Sequence, residues 1–460
     1  MPTEAQWIKH LDGKIADQAA YAKRWEPRYR NEYVLPFIRA EFAEVYGSSR
    51  GDIEKALAAM EAIQPPRAGT AAVVVDALTE RLTVEGATSD TPEAVAVVED
   101  AWVANDLDVM HREAHREAMI KGRAFALVES GVDGKAVVSI EAAEQMAVHR
   151  QAAPPYDIDA AMKTVVDEWT QRESRILYLP GQRLTYAKDG ADWALESIAD
   201  TPGRVVPVIE FAHRQRLLVE PQSEIEGIES LADIVDLIEG LMVFAGHFGA
   251  VPIRYGTGVQ VLKDPANPAQ PLLVNGKPQV GFDHRADRMW VSTDKDTKFG
   301  QLTPAALDTF VQWAQHASMR IRAKTGLAST YLSLDLKSHM SAELLKTDEA
   351  PMVRRIKGLQ AGFGQAWRRV MQLALAMDAP ALAGTPVRPR WADPQTRIES
   401  QDSDIFAKLA PSLGAVTVAE KVMGWSPLEA RRGADEARQA ARDGDAELDA
   451  MLDRLNGDAE

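Results

Sequence analysis

The sequence predicts an α+β fold whose second half runs helix, β insert, helix, polar loop and longer helix. Three observations predict it. Apolar residues recur at three- and four-residue steps over Ser223–Phe248, the spacing of one helix face. A stretch rich in Pro and Gly, from Val251 to Lys298, interrupts that pattern with short β-type runs. Between Arg123 and Phe211 the chain breaks into short strand-like segments bounded by Gly, Asp or Pro. A compact enzyme core does not require the helix–insert–helix order.

Taken in order, Met1–Gly47 reads as helical, with Trp7, Ile8, Leu11 and Ile15 in one stripe and an aromatic-rich run from Tyr29 to Tyr46. Gly51–Ile63 is a further short helix, closed by Pro65-Pro66. Val73–Leu82 is helical, and Leu82–Gly86 is a strand ending in a turn. Pro92–Ile120 supplies two helices divided near Asn105-Asp106. Strands are predicted at Ala124–Val128, Ala136–Ile140, Thr164–Trp169, Arg175–Leu179, Arg183–Ala187, Trp193–Ser197 and Val205–Phe211.

Ile225, Ile228, Leu231, Val235, Ile238 and Met242 form the apolar face of the next helix, with Asp233, Asp236 and Glu239 between them. Ile234–Phe248 is apolar on more than one side: a buried core helix in a monomer, or, in a ring, one packed on its neighbours with a narrower polar face toward a lumen. Gly240, Gly246 and Gly249 weaken it by roughly 1 kcal/mol each, and permit close helix approach or mark its unravelling near Gly249. In the insert, Pro252, Pro265, Pro268, Pro271 and Pro278 exclude helix, while Val251–Tyr255 and Arg288–Ser292 read as strands. Thr303-Pro304 restarts a helix, with Thr as N-cap and Pro at the first position. It continues to about Gly326. A loop rich in Ser and Leu spans Ala328–Met340, and a long helix then runs from Ser341 to Met377. From Asp393 the chain is helical and charged, with turns near Pro411, Gly424 and Gly433 and an acidic end from Asp443 to Glu460.

With 460 residues, 46% hydrophobic and 26% charged, the chain has the composition of a soluble globular protein with a large core. It has no cysteine, which excludes disulfides, thiol catalysis and Cys-ligated metal centres. Met1–Ala20 lacks the apolar core of a signal peptide, and the most apolar window, Gly240–Ile253, is too short to span a bilayer. The net charge of −16 argues against a protein that grips DNA by neutralising phosphates. It is compatible with a conduit, where strong Lys–phosphate contacts would impede sliding.

Few residues point to catalysis. His111 and His115 lie one helical turn apart, a spacing that can bind metal, but Arg112 occupies the place of the zincin Glu. Gly256-Thr-Gly258 is half of a dinucleotide fingerprint, and Gly362-Phe-Gly364 sits inside a predicted helix as a kink or close-packing site. Neither a Walker A pattern nor a Gly-x-Ser-x-Gly elbow is present. No catalytic residue, cofactor site or metal site is assigned. The basic residues Arg320, Arg322, Lys324, Lys337, Lys346, Arg354, Arg355 and Lys357 cluster around the second helix of the pair and the loop after it. Most read as solvated surface or ion pairs between subunits.

Several ordered motifs carry a family resemblance. Val74-Val75-Asp76-Ala77-Leu78-Thr79-Glu80-Arg81-Leu82, Asn105-Asp106-Leu107-Asp108, His115-Arg116-Glu117-Ala118 and Gly122-Arg123-Ala124-Phe125 come first. Lys298-Phe299-Gly300-Gln301, Gln365-Ala366-Trp367 and Trp391-Ala392-Asp393-Pro394 follow. In this succession, over about residues 20–430, the chain resembles the portal (head-to-tail connector) proteins of tailed bacteriophages, of the Gp6-like, actinobacteriophage type. The resemblance implies a phage portal fold: an α/β wing (1–222), stem helices (223–248 and 303–326) and a small α/β clip (249–302). It further implies a tunnel loop (327–340), a long wing helix with its return (341–392) and a helical crown (393–460). It implies a non-enzymatic, homo-oligomeric ring, a dodecamer as is usual in the family, made in the host bacterial cytoplasm and placed at the capsid vertex of the virion. The implied partners are the major capsid protein, the terminase large subunit, a head-completion adaptor and double-stranded DNA passing through the channel, with no membrane. Lys337, Ser338 and His339 in the tunnel loop, with Lys324, are then the residues expected near DNA. Two rival readings are a metal-dependent hydrolase using the His111/His115 pair with a carboxylate, and a ring-forming scaffold unrelated to phage.

Overall fold

Helix α1 (Glu4–Tyr29) begins where Thr3 and Gln6 cap one another. The Gln6 amide donates to Thr3 Oγ1 at 3.3 Å and the Thr3 amide to Gln6 Oε1 at 2.8 Å, so two orphan donors of the first turn are satisfied. The computed structural model describes residues 2–33, 68–152, 157–190, 192–201, 203, 205–250, 254–258, 261–274, 277–278, 296–301, 307–332, 342–395, 406, 408–421 and 430–439. The helix expected at Gly51–Ile63 lies outside them. After α2 (Thr70–Thr79) and β1 (Val84–Thr88), α3 (Pro92–Ala104) and α4 (Leu107–Lys121) divide at Asn105-Asp106, as the sequence predicts. Helix α4 closes on Gly122, whose φ of +82° and place 2.8 Å (as a Cβ) from the Pro221 carbonyl oxygen admit only glycine.

Eight strands follow: β2 (Arg123–Ser130), β3 (Ala136–Glu141), β4 (Met146–Arg150), β5 (Ile158–Val166), β6 (Glu173–Leu179), β7 (Gln182–Asp189), β8 (Asp192–Asp200) and β9 (Val208–Ala212). They form an antiparallel three-stranded sheet, β3-β2-β9, and a five-stranded meander, β4-β5-β6-β7-β8. Two sequence expectations need correction. Met146–Arg150 is a strand although it was not expected as one. The strand expected at Thr164–Trp169 is β5, ending at Val166. Trp169 lies instead in the β5–β6 turn, 95% exposed, where the Asp167 carboxylate accepts from the Trp169 and Thr170 amides at 3.0 and 2.7 Å. Helix α1 lies across the meander, with Leu11 and Ile15 buried among Ala147, Met162, Leu177 and Leu184. Lys14 and Gln18 donate to the Val148 and Met146 carbonyls, which covers the β4 edge.

The helix predicted from Ser223 opens with a 3-10 turn at Ile225–Gly227, and α5 proper is Glu229–Ala250. It ends at Ala250, one residue beyond Gly249, where the sequence predicts its end. The insert contains β10 (Arg254–Thr257), β11 (Lys263–Asp264), β12 (Asn267–Pro271), β13 (Leu273–Val274), β14 (Lys277–Pro278) and β15 (Lys298–Gln301). Among the described residues it is built of strands and turns only; Arg288–Ser292 lies outside them. Gly258 (φ +71°) has the Asp296 carbonyl 2.6 Å from where a Cβ would stand, so in Gly256-Thr-Gly258 the first two residues belong to β10 and Gly258 turns the chain out of it. The chain returns in α6 (Leu307–Thr325); its expected start at Thr303-Pro304 is outside the described residues. Strands β10 and β15 pair antiparallel at one end of the two helices, and Lys324 Nζ reaches the Gly227 carbonyl at 2.8 Å at the other. The pair is therefore a helical hairpin with the β insert at its tip.

After the one-turn α7 (Ser329–Leu332), α8 (Ala342–Asp378) runs 37 residues, about 55 Å at 1.5 Å per residue. Met352, Ile356, Phe363, Trp367, Val370 and Met371 bury its inner face in the largest core cluster, with α2, α3, α4 and β9. Strand β16 (Arg388–Trp391) doubles back and pairs antiparallel with β1, Val84 opposite Trp391. A Cβ at Gly364 would stand 3.3 Å from Trp391 Nε1, so this glycine serves close packing of β16 on α8. Near the end, the break expected at Pro411 falls at Gly414 (φ +84°), with α9 (Ala415–Lys421) beyond it. Gly433, expected at a turn, lies within the helical residues 430–439.

Candidate functional site at the base of the helical pair

The acidic residues of α5 do not form a free polar stripe near its start. Arg28 of α1 pairs with Asp233 and, at 3.0 Å, with Glu229, while Arg24 reaches Glu229 at 2.7 Å. Tyr33 bonds the Asp236 carboxylate, which also accepts from the Ala68 amide at 3.0 Å. Asp233 and Asp236 are buried. The polar face that would border a lumen therefore does not include these two carboxylates; Asp233 fastens the base of α5 to α1, and Asp236 fastens it to Tyr33 and Ala68.

A second buried network joins α6 and α8 to the same base. Glu224 is fully buried and accepts from Arg355 Nη2 with both oxygens at 2.5 Å, from Arg214 Nη2 at 3.4 Å and from His213 at 3.1 Å. Burial alone would raise the Glu224 carboxyl, but the His213 hydrogen bond and the Arg355 and Arg214 charges hold it below the ordinary range. Burial likewise pushes His213 down, against the upward pull of Glu224. Arg355 Nη1 donates to the Thr325 carbonyl, an orphan acceptor at the end of α6, at 2.5 Å. Two further contacts brace the turn after α6: Arg322 with Asp348 at 2.9 Å, and the Ser329 amide with the same carboxylate at 2.5 Å. One arginine of the long helix thus links the start of the hairpin to its end. Glu224, His213 and Arg28 were not singled out by sequence, because their partners lie far away along the chain.

Of the residues expected near DNA, Lys337, Ser338 and His339 lie outside the described residues. Lys324 is exposed on the last turn of α6 and held by the Gly227 carbonyl. Arg320, Arg354 and Lys357 are exposed, whereas Arg322 and Arg355 are committed to ion pairs. The His111/His115 pair is committed as well. His111 Nδ1 faces the Leu107 carbonyl at 2.7 Å and its Nε2 accepts from the Val84 amide at 3.3 Å. His115 Nδ1 faces the Leu82 carbonyl at 3.1 Å and its Nε2 accepts from Trp367 Nε1 at 2.8 Å. Both imidazoles are buried, and burial pushes His115 down to about 3, so it is neutral. With every ring nitrogen engaged inside the core, the pair has no lone pair to offer a metal, and the hydrolase reading loses its ligands.

The hairpin leaves apolar surface uncovered. Ile234 and Val243 on α5, and Leu307, Val311, Trp313 and Met319 on α6, are exposed, Trp313 at 66%. No helix among the described residues is long and apolar enough to cross a membrane.

Known proteins resemble this chain in sequence. The chain is 25% identical over 378 residues to the portal protein of Mycobacterium phage L5, covering 77% of this chain and 75% of that one. It is 26% identical over 382 residues to the portal protein of Mycobacterium phage D29, with the same coverage. A chain of the virion of a native gene transfer agent particle aligns over 79% of this chain and 91% of its own, at 10% identity and a TM-score of 0.46. The pattern of the SPP1 Gp6-like phage portal proteins matches residues 68–413, three quarters of the sequence from α2 to beyond β16, and the chain belongs to that family of phage structural proteins.

Proposed function

We propose that copies of this chain form a closed, twelve-membered ring at one capsid vertex, the channel through which the genome is packaged and ejected. Family membership supports the structural role. The observation that carries the rest is the α5–α6 hairpin, anchored at its base by Glu224 and Arg28, carrying a β insert at its tip, and exposing apolar side chains among its polar ones. In this reading α5 and α6 are the stem, residues 249–302 the clip, residues 327–340 the tunnel loop, α8 the long helix of the wing, and the residues after Asp393 the crown. The clip would present the docking surface for terminase and then for a head-completion adaptor, and the wing would meet the capsid protein. Neighbouring clips could pair the short strand edges of the insert across subunits. Identical subunits close a ring through head-to-tail contacts, and the exposed stripes of adjacent hairpins supply such a contact. Particle imaging of the purified protein tests this. A ring with an axial hole is expected, with the insert at one end; a monomer in native mass spectrometry across assembly conditions overturns it.

A further inference from the structure

The outward face of α8 is cationic in a chain whose net charge is −16. From Ala350 to Met377 the helix holds no Asp or Glu, but five Lys and Arg. Arg355 is committed to Glu224, and Arg369 stands 3.8 Å from Asp157. Arg354, Lys357 and Arg368 are exposed, and no carboxylate among the described residues pairs with them. With Ala350, Ala361 and Gln365 they recur at three- and four-residue steps, so they share one side of the helix. That side is opposite to Met352, Ile356, Phe363 and Trp367, which fill the core.

Two glycines border the same row. A Cβ at Gly358 or Gly362 would meet nothing within 4 Å, unlike Gly364, which packs on Trp391. Each weakens the helix relative to alanine, and no packing inside the chain accounts for either. The row thus offers cations, a carboxamide and bare backbone. It shows no large apolar side chain; the exposed one on α8 is Leu344, before the row begins. A protein partner docks through an apolar centre, which is missing here, whereas interfaces with nucleic acid are polar and strongly positive. Arg354 and Arg368 are 14 residues apart, about 21 Å along the helix, which matches the axial length of about six base pairs. Charges farther away than about 8 Å are screened at physiological salt, so the acidic remainder of the chain does not cancel the row.

We infer that the outward face of α8 binds duplex DNA along its phosphate backbone. Arg354, Lys357 and Arg368 pair with phosphates, and the side-chain-free surface at Gly358 and Gly362 lets the strand lie close against the helix. Such contacts carry no sequence information. The site is separate from the 327–340 loop and requires no ring. Fluorescence anisotropy with a labelled duplex of about 30 base pairs tests it on the full chain, with native mass spectrometry recording its oligomeric state. Arg354→Glu/Lys357→Glu/Arg368→Glu should bind at least about ten-fold more weakly at about 50 mM salt, and its log–log salt slope should flatten by about 2.7, at about 0.9 per phosphate. Its melting should match the parent's, because the three side chains are solvated. Gly358→Leu/Gly362→Leu should also bind more weakly without melting earlier, since leucine is the better helix former and the space is open. Two duplexes of unrelated sequence should bind alike. A parent that binds no DNA, or a charge-reversed chain with unchanged affinity and salt slope, overturns the inference. If that chain keeps its affinity but no longer assembles, the row is an ion-paired face between copies, and the inference falls as well. A monomeric parent that binds DNA through these residues upholds it and overturns only the ring.

Discussion

His115 shows how far a residue's role is set by its surroundings. It stacks on Phe363 at 4.9 Å, receives the Trp367 indole N–H and donates to a backbone carbonyl, all inside the core. Its folded pKa of about 3 is below the unfolded 6.5. Between those values the unfolded chain takes up a proton that the folded chain refuses, so stability falls as pH drops, by up to about 1.4 kcal/mol per pH unit. Urea unfolding from pH 7 to pH 4 should show that slope, and His115→Gln should flatten it. Asp233 offers a second test. Its carboxylate and Arg28 are both nearly shielded from water, so Asp233→Ala leaves a buried guanidinium partly uncompensated. We predict a loss of about 3–5 kcal/mol, read from the same unfolding curves. Asp233→Asn should lose less, because the amide can still accept a hydrogen bond. Neither role was visible in the sequence. The helical spacing of His111 and His115 is legible, but the Leu82 and Trp367 partners that make His115 a core residue come from distant segments.

At the scale of elements, the helices were the legible part. Of the six residues chosen by spacing, Ile225, Ile228, Leu231, Val235 and Ile238 are buried and Met242 is half-buried, because one face of the 3-10 turn and α5 covers the core. The α3–α4 break at Asn105-Asp106 was readable from local backbone chemistry. Strands fared less well where packing outweighs composition. Strand β4 ends on His149-Arg150 and has no turn residues to mark it, yet Met146, Ala147 and Val148 are buried by α1 and the adjoining sheet. Trp169 drew the expected strand past its end, although the Asp167 side chain turns the backbone before it. Pro411 misled in the same way: it lies within the helical residues 408–413, and the left-handed Gly414 makes the break. The β insert leads to a prediction. Because β10 and β15 come together at the tip of the hairpin, replacing residues 258–296 with a short Gly-Ser turn should leave the rest folded, with a melting temperature within a few degrees of the parent. Hydrogen exchange in α1, α4 and the five-stranded sheet should be unchanged. Loss of protection there would mean that the insert packs into the body, and the proposed clip would be wrong.

For the whole molecule, the deciding quantity is charge against motion. A chain of net charge −16 repels DNA overall, which suits a channel whose wall must not hold the strand. A few cations at the narrowest point would then guide DNA by weak, transient contacts. Lys337, flanked by Ser338 and His339, is the proposed position, and Lys324 is tied to the Gly227 carbonyl at the hairpin base. One lysine per copy, repeated around a ring, makes a shallow positive belt, and its contacts weaken with salt as screening shortens to about 8 Å at physiological ionic strength. Lys337→Ala should therefore change packaging modestly, while Lys337→Glu reverses the belt in every copy. The expected result for Lys337→Glu is particles with shorter or poorly retained genomes, a defect largest at low salt and reduced as salt rises. Measuring DNA length and content in purified particles across ionic strength checks it. Full-length, stably retained DNA in Lys337→Glu particles at low salt would show that this side chain pairs with a carboxylate such as Asp335, or with one on a neighbour, and only shapes the loop.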